Sequence, residues 1–229
     1  MNLFHILDDI ELERERRLLG LLQPDPYALI LFARAKASLQ NEIESSRLDE
    51  AFKFAKEIQY RHIGLKSDIY FSHPIRVSAL ATLISATQHS EIGVLAVLHN
   101  VLEVSDVTFE KLASTFGIEI ASQIDVLTVD RSLQWEKAYK SRYYRNLMDG
   151  PMAARIVKIV DKLDNLFVLG LNPDAELREW YLAEIEDFVI PMVMKSLPKL
   201  TAYMMALVQD CRLTGFIELP LSNIQKEKI

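Results

Sequence analysis

The chain has 229 residues, half of them hydrophobic, with only seven glycines and a formal charge of −6. That is ample material for a sizeable core, and the negative balance argues against a nonspecific binder of nucleic-acid polymers. One cysteine, Cys211, excludes an intramolecular disulfide framework and fits a cytoplasmic setting. No apolar run approaches the roughly 20 residues that span a bilayer, so no membrane partner is expected, and Met1 to His5 lack the basic-then-apolar pattern of a signal peptide.

In chain order, residues 3–22 read as a helix with Leu3, Ile6, Leu7, Ile10, Leu18, Leu19 and Leu22 as apolar positions. The mixed-sign run from Glu11 to Arg17 reads as its solvated face. Pro24 and Pro26 interrupt the pattern. A second helix is predicted over 27–44. A third, over 47–59, is capped by Ser45-Ser46 and carries the stripe Leu48, Ala51, Phe52, Ala55 and Ile58. From Tyr60 to Ser72 the period fails, and Gly64, Lys66, Ser67 and Asp68 mark a loop. Pro74 opens the next helix and places His73 at its cap. A central helix starts at Ser90, a short one spans 108–116 and stops at Gly117, and another runs over 118–129. Asp130 to Gly150 is polar and aromatic and is assigned no helix. Pro151 opens a helix over 152–169 with Gly170 as its stop, two more follow over 174–197 and 199–214, and 216–229 reads as a tail. There is no repeat or convincing linker. The expectation is one all-α domain, with 1–45 as an N-terminal helical extension packed on it.

Two helices carry polar groups inside apolar runs. His99, Asn100 and Glu103 sit among Ile92, Val94, Leu95, Val97, Leu98, Val101 and Leu102, and helical spacing puts the three on one face. Buried polar groups without partners cost free energy, so this face meets a metal ion or a polyanionic ligand, or else it is a surface stripe of an ordinary helix. Asp161 and Asn165 form a similar i,i+4 pair after Pro151, with pairing of Asp161 to Lys158 or Lys162 on a surface stripe as the alternative. His73 alone reads as a loop or capping residue sooner than as a ligand, and His5, His62 and His89 are assigned no role. Taken together, two imidazoles and a carboxylate from three helices suit a divalent ion such as Mn, Fe or Zn. Such an ion with an open position generates hydroxide near neutral pH and screens phosphate charge.

Asp49 to Val77, with Phe54-Ala55 and Tyr70-Phe71-Ser72-His73-Pro74, resembles the opening of the HD-domain alarmone hydrolases of the RelA/SpoT type. Val97 to Val104 resembles that family's Leu-His-Asp-x-x-Glu-Asp segment, Thr108 to Gly117 and Val126 to Thr128 its following elements, and Val157 to Leu166 its Val-Lys-Leu-Ala-Asp-Lys-Leu-x-Asn-Leu helix. The resemblance runs in order over 49–197 and implies an HD-type helical bundle over 46–215, with no counterpart of the family's synthetase domain. It further implies removal of pyrophosphate from the 3′ position of (p)ppGpp, a guanosine nucleotide, with a bound Mn ion. His73, His99 and Asp161 match metal ligands, Glu103 the first acid of a water-activating pair, and Asn165 a substrate-contacting residue. Arg61, Lys66, Arg131 and Lys162 are candidate phosphate contacts. The departures are Asn100 where a ligand Asp stands, Val104 where the second acid stands, and Gln59 where an early His stands. An amide brings no negative charge, so weaker metal binding is expected, and Val104 cannot orient a proton.

Three readings follow: a metal-dependent phosphohydrolase, a degenerate HD domain that binds a nucleotide or protein without turnover, and a helical interaction module. In each of them 1–45 and 199–214 offer a homodimer surface.

Overall fold

The computed structural model describes residues 6–23, 25–62 and 65–219. Of the features above, Met1 to His5, Pro24, Gly64 and residues 220–229 of the tail lie outside the described residues. Helix α1 (Ile10–Leu19) starts where Asp9 accepts the Glu11 N–H, not at residue 3. Its charged run is not a solvated face. Glu13, Arg14 and Arg17 are buried, and Glu13 and Arg17 pair across one turn at 2.6 Å.

The helix expected over 27–44 is two. Asp25 caps α2 (Pro26–Ala37), and Asn41, in extended backbone, caps α3 (Glu42–Lys56) through the Glu44 N–H. An asparagine side chain that meets a free N–H fixes the start, so α3 runs unbroken through Ser45-Ser46. A single turn, α4 (Ser67–Tyr70), lies inside the expected loop and leads into α5 (Ser72–Ser85), so His73 stands in the first turn of α5 and not before it. The central helix breaks. It ends as α6 (Glu91–Leu98), and α7 (Val101–Val104) follows Asn100, whose backbone (φ −117°, ψ 7°) is not helical.

Helices α8 (Phe109–Phe116) and α9 (Ile118–Leu127) meet at Gly117, whose φ of 91° favours glycine. The polar stretch before Pro151 is also a helix, α10 (Lys137–Asp149). Its buried residues Lys140, Tyr143, Tyr144 and Leu147 keep a 3–4 spacing that a count of apolar letters alone passes over. Helix α11 (Met152–Leu166) follows, then α12 (Ala175–Glu184), which passes through a π-helical turn at Ile185–Val189 into α13 (Ile190–Ser196), and finally α14 (Thr201–Thr214). Beyond it, the Ile217 N–H donates to the Gly170 carbonyl at 2.7 Å.

The fold is all-α. Among the described residues the one β-type pairing is the isolated His62–Leu65 bridge, and no helix is long and apolar enough to cross a membrane. Helix α5 is the hub, packed on α2, α6 and α11, while α6 also takes α3 on its other side. Nearly every residue of α5 from Ser72 to Leu83 is buried, so this helix holds His73 with little freedom.

Close approach of α5 and α6 depends on Gly93. Its carbonyl accepts from Ser78 Oγ at 2.8 Å, and a Cβ added there would meet Thr82 Oγ1 at 2.7 Å and Leu48 Cδ1 at 3.0 Å. Alanine gains roughly 1 kcal/mol over glycine in helix propensity, whereas overpacking typically costs about 1–3 kcal/mol. Gly93→Ala is therefore expected to be net destabilising and to lower Tm by about 2–4 °C in a chain of this size. An unchanged or higher Tm by scanning calorimetry would mean that α5 and α6 part without cost.

Candidate metal centre and its pocket

Three elements bring the expected ligands together: His73 from the start of α5, His99 from the break after α6, and Asp161 from the middle of α11. One ligand atom from each lies within 4.8 Å of the others. Asp161 Oδ1 stands 3.3 Å from His73 Nε2 and 3.5 Å from His99 Nε2, and the two rings meet edge-on at 5.3 Å. All three residues are enclosed, with His99 and Asp161 buried outright. The surface-stripe alternative for these helices is thereby excluded.

Hydrogen bonds on the far sides of the rings decide what the near sides offer. His99 Nδ1 lies 2.7 Å from the Ala96 carbonyl and His73 Nδ1 lies 2.9 Å from Asp164 Oδ2. Both partners only accept, so each Nδ1 carries the proton, and in the neutral ring each Nε2 presents a lone pair. Two lone pairs thus face a carboxylate oxygen. That arrangement is repulsive until a proton or a cation enters it, and the residues present fit a divalent ion. Burial lowers the His73 pKa, but its bonds to Asp161 and Asp164 outweigh this and the net direction is upward. Burial likewise opposes the charge on Asp161. The neighbouring Lys158 and the two histidines prevail and hold Asp161 well below the usual carboxylate range.

Asn100 lines the same pocket. Its Nδ2 donates to the Tyr70 hydroxyl, which leaves Oδ1 buried without a hydrogen-bond partner. This orphaned oxygen is a buried, unpaired acceptor on a residue of the cavity lining. Asn165 donates to Asp161 Oδ1 at 2.8 Å and so fixes the ligand oxygen itself. Glu103 accepts the Val129 N–H at 2.8 Å and stands 3.7 Å from Arg131 Nε, which ties the carboxylate to the loop after α9. Val104 is core, 2% exposed.

These groups open into a cavity of about 430 Å³ with a cationic wall. Lys162, Arg131, Lys140 and Lys158 all line it. Arg61 and Lys66 do not: Arg61 pairs with Asp106 on the exposed surface, and the exposed Lys66 precedes α4. Lys140 and Lys158 had no assigned role in the sequence, nor did Asp164, Arg76, His62 and Tyr181, which also line the cavity. The Lys158 signal was legible as a lysine inside an apolar run, three residues before Asp161. His62, by contrast, enters by stacking on Tyr70 at 4.7 Å, a contact that spacing does not reveal.

One buried acid serves two of the lysines. Glu184 lies 3.0 Å from Lys140 and 2.8 Å from Lys162, and it accepts from Tyr144. Although burial opposes its charge, Lys162 and Lys140 pull its pKa down to about 2. Burial and the charge of Lys162 push Lys140 down to about 8. Lys158 keeps its proton, because Tyr143, Asp161 and Glu103 outweigh its burial.

No profile of a known family matches the chain. It is 28% identical over 130 residues to MESH1 of Drosophila melanogaster, a guanosine-3′,5′-bis(diphosphate) 3′-pyrophosphohydrolase, covering 56% of this chain and 72% of that one. MESH1 of Danio rerio is 33% identical over 118 residues, covering 50% of this chain and 63% of that one. The chain is thus similar to these hydrolases over about half of its own length. It spans only 20% of the Spiroplasma citri enzyme of the same activity, at 28% identity. Among solved structures, a metazoan ortholog of SpoT that hydrolyses ppGpp superposes with a TM-score of 0.59 at 22% identity, covering 75% of this chain and 97% of that one. That likeness is one of fold, and it bears out the all-helical HD-type architecture.

The depressed pKa values give a pH dependence with a definite sign. Glu184, Asp161 and Asp164 are held below their ordinary values. The unfolded chain therefore binds more protons than the folded one as the pH falls through the carboxylate range. Their contribution is complete above about 4.5 and is lost progressively towards about 2, the folded value of Glu184. Denaturant midpoints measured at about pH 6 and pH 3 should show this loss. Glu184→Gln, less stable throughout, should lose less of its remaining stability on acidification. An equal loss would mean that Glu184 is not ionised in the folded protein.

Proposed function

We propose that the chain is a divalent-metal-dependent phosphohydrolase that removes pyrophosphate from the 3′ position of guanosine 3′,5′-bis(diphosphate) or a close relative of it. The observation that carries this reading is the convergence of two imidazole lone pairs and one carboxylate oxygen beside a wall of lysines. The named activity of the MESH1 relatives supports the substrate class.

His73, His99 and Asp161 would hold the ion, with Asn100 Oδ1 as a neutral fourth donor. The ion, Mn or another divalent metal, supplies Lewis-acid activation of water and screens phosphate charge when bound. Asn165 keeps Asp161 Oδ1 turned into the site. Glu103, anchored by the Val129 N–H, offers a carboxylate that can take a proton from attacking water. Lys162, Lys140, Lys158 and Arg131 line the cavity and suit the several charges of a nucleotide bearing two diphosphates. Arg61 and Lys66 take no part.

A second reading, nucleotide binding without turnover, is favoured by one observation: the place of a second acid is taken by Val104, buried in the core. The test is pyrophosphate release from ppGpp with Mn, measured beside Mn affinity. If Glu103 handles the proton, Glu103→Gln should lower kcat by about 10²–10⁴ and leave Mn affinity near wild type. Asn100→Asp should bind Mn about tenfold more tightly, since a charged oxygen replaces a neutral one at the ligand position. His99→Ala should abolish both. Nucleotide binding by wild-type protein that takes up Mn but releases no pyrophosphate would transfer the conclusion to the binding reading.

A further inference from the structure

Behind the ligands lies a second buried charge cluster. Asp164, one helical turn after Asp161, is 1% exposed, and both its oxygens are engaged. Oδ1 accepts from Arg17 Nε at 2.7 Å and Arg76 Nε at 3.0 Å, whereas Oδ2 accepts from Arg76 Nη2 at 3.0 Å and from His73 Nδ1 at 2.9 Å. Arg76 reaches on to Asp25 at 2.7 Å, whose other oxygen caps α2. Arg17 is clasped by Glu13 at 2.6 Å and lies over the Phe167 ring at 4.0 Å.

This arrangement has a physical logic. A buried carboxylate without cations around it is strongly unfavourable, and removing one partner of such a pair costs far more than the pair contributes. Arg16 also pairs with Glu13, at 2.9 Å, so three guanidinium groups stand against Glu13, Asp25 and Asp164, and the carboxylate that reaches His73 is Asp164. A carboxylate on the far nitrogen of a ligating histidine fixes the ring's tautomer and raises its basicity. Asp164 can do this only while Arg17 and Arg76 hold it, and Arg17 comes from α1, 147 residues away in the chain.

We propose that Arg17 and Arg76 are positioning residues that act through Asp164 on His73, so that the N-terminal helices α1 and α2 are a working part of the metal centre. The proposal rests on the hydrolase reading for its metal, but not for its geometry. It also sets the α1 charge run, taken from sequence for solvent-facing, among the residues that shape the chemistry.

The test compares two variants of one helix in the full chain. Arg17→Met removes a cation from Asp164. Arg14→Met removes the ion pair of α1 to Asp210 on α14, which shares no atom with the cluster. Two readouts are taken: Mn affinity by calorimetry, and the His73 ring nitrogens by two-bond proton–nitrogen spectra of metal-free protein. Wild type should show the Nδ1–H form. Arg17→Met should move the ring signals towards a mixture and weaken Mn binding by about 10–100-fold. Arg14→Met should lower Tm and alter neither readout. Should Arg17→Met not fold, Arg17→Lys, which keeps the charge but loses the fork, should give a smaller change of the same kind. Unchanged ring signals and affinity in a folded Arg17 variant would overturn the proposal, as would equal changes in Arg14→Met. If wild type binds no Mn and releases no pyrophosphate, the hydrolase reading fails, while the ring signals still decide the positioning.

Discussion

Two carboxylates buried one turn apart on α11, Asp161 and Asp164, set the terms for everything packed around them. Neither could stay ionised in a core without cations, and each is supplied with them from a different side. Lys158 serves Asp161, and Arg17 and Arg76 serve Asp164. The helices that bring the two arginines, α1 and α5, are therefore placed by charge as well as by apolar packing. Breaking such a pair costs several kcal/mol because the partner is left stranded. The interior of this protein is specified as much by who neutralises whom as by shape.

Pairing of this kind also separates two duties within one helix. Asp161 turns its Oδ1 to both ring Nε2 atoms, while Asp164 meets His73 at its other nitrogen, Nδ1. The rest of the cavity lining includes Lys140, Lys158, Lys162 and Arg131. This cationic lining reaches the candidate ligands themselves, since Lys158 lies 3.1 Å from Asp161.

Much of this was legible in the sequence, and the limits are physical. The all-α class and the order of most helices followed from periodicity, and polar residues inside apolar runs singled out His99 and Asp161, whereas the convergence of these two with His73 was what the resemblance to the HD-domain hydrolases implied. Helix α10 was missed because its inward face is made of lysine and tyrosine, whose long side chains bury their stems and rings and satisfy their tips on Glu184 and Leu127. The run around Glu13 and Arg17 was misread for a related reason: mixed charges at helical spacing look the same whether they face water or an opposite charge from another helix. Asp164 gave no signal of its own. Its partners are 88 and 147 residues away, and only the folded chain brings them to it.

The shared acid Glu184 bears on how such a pocket fills and empties. Lys140 and Lys162 both hold it, and the Tyr144 hydroxyl donates to it as well. An arriving phosphate can draw one ammonium group forward without leaving a bare carboxylate behind, because the other lysine and the phenol remain. The anion is thus exchanged into a ready-made circle of partners, and the protein need not strip water from an unpaired charge at either stage. One buried acid keeps two cations of the wall supplied with a partner at the same time, so neither ammonium group depends on a ligand for its neutralisation.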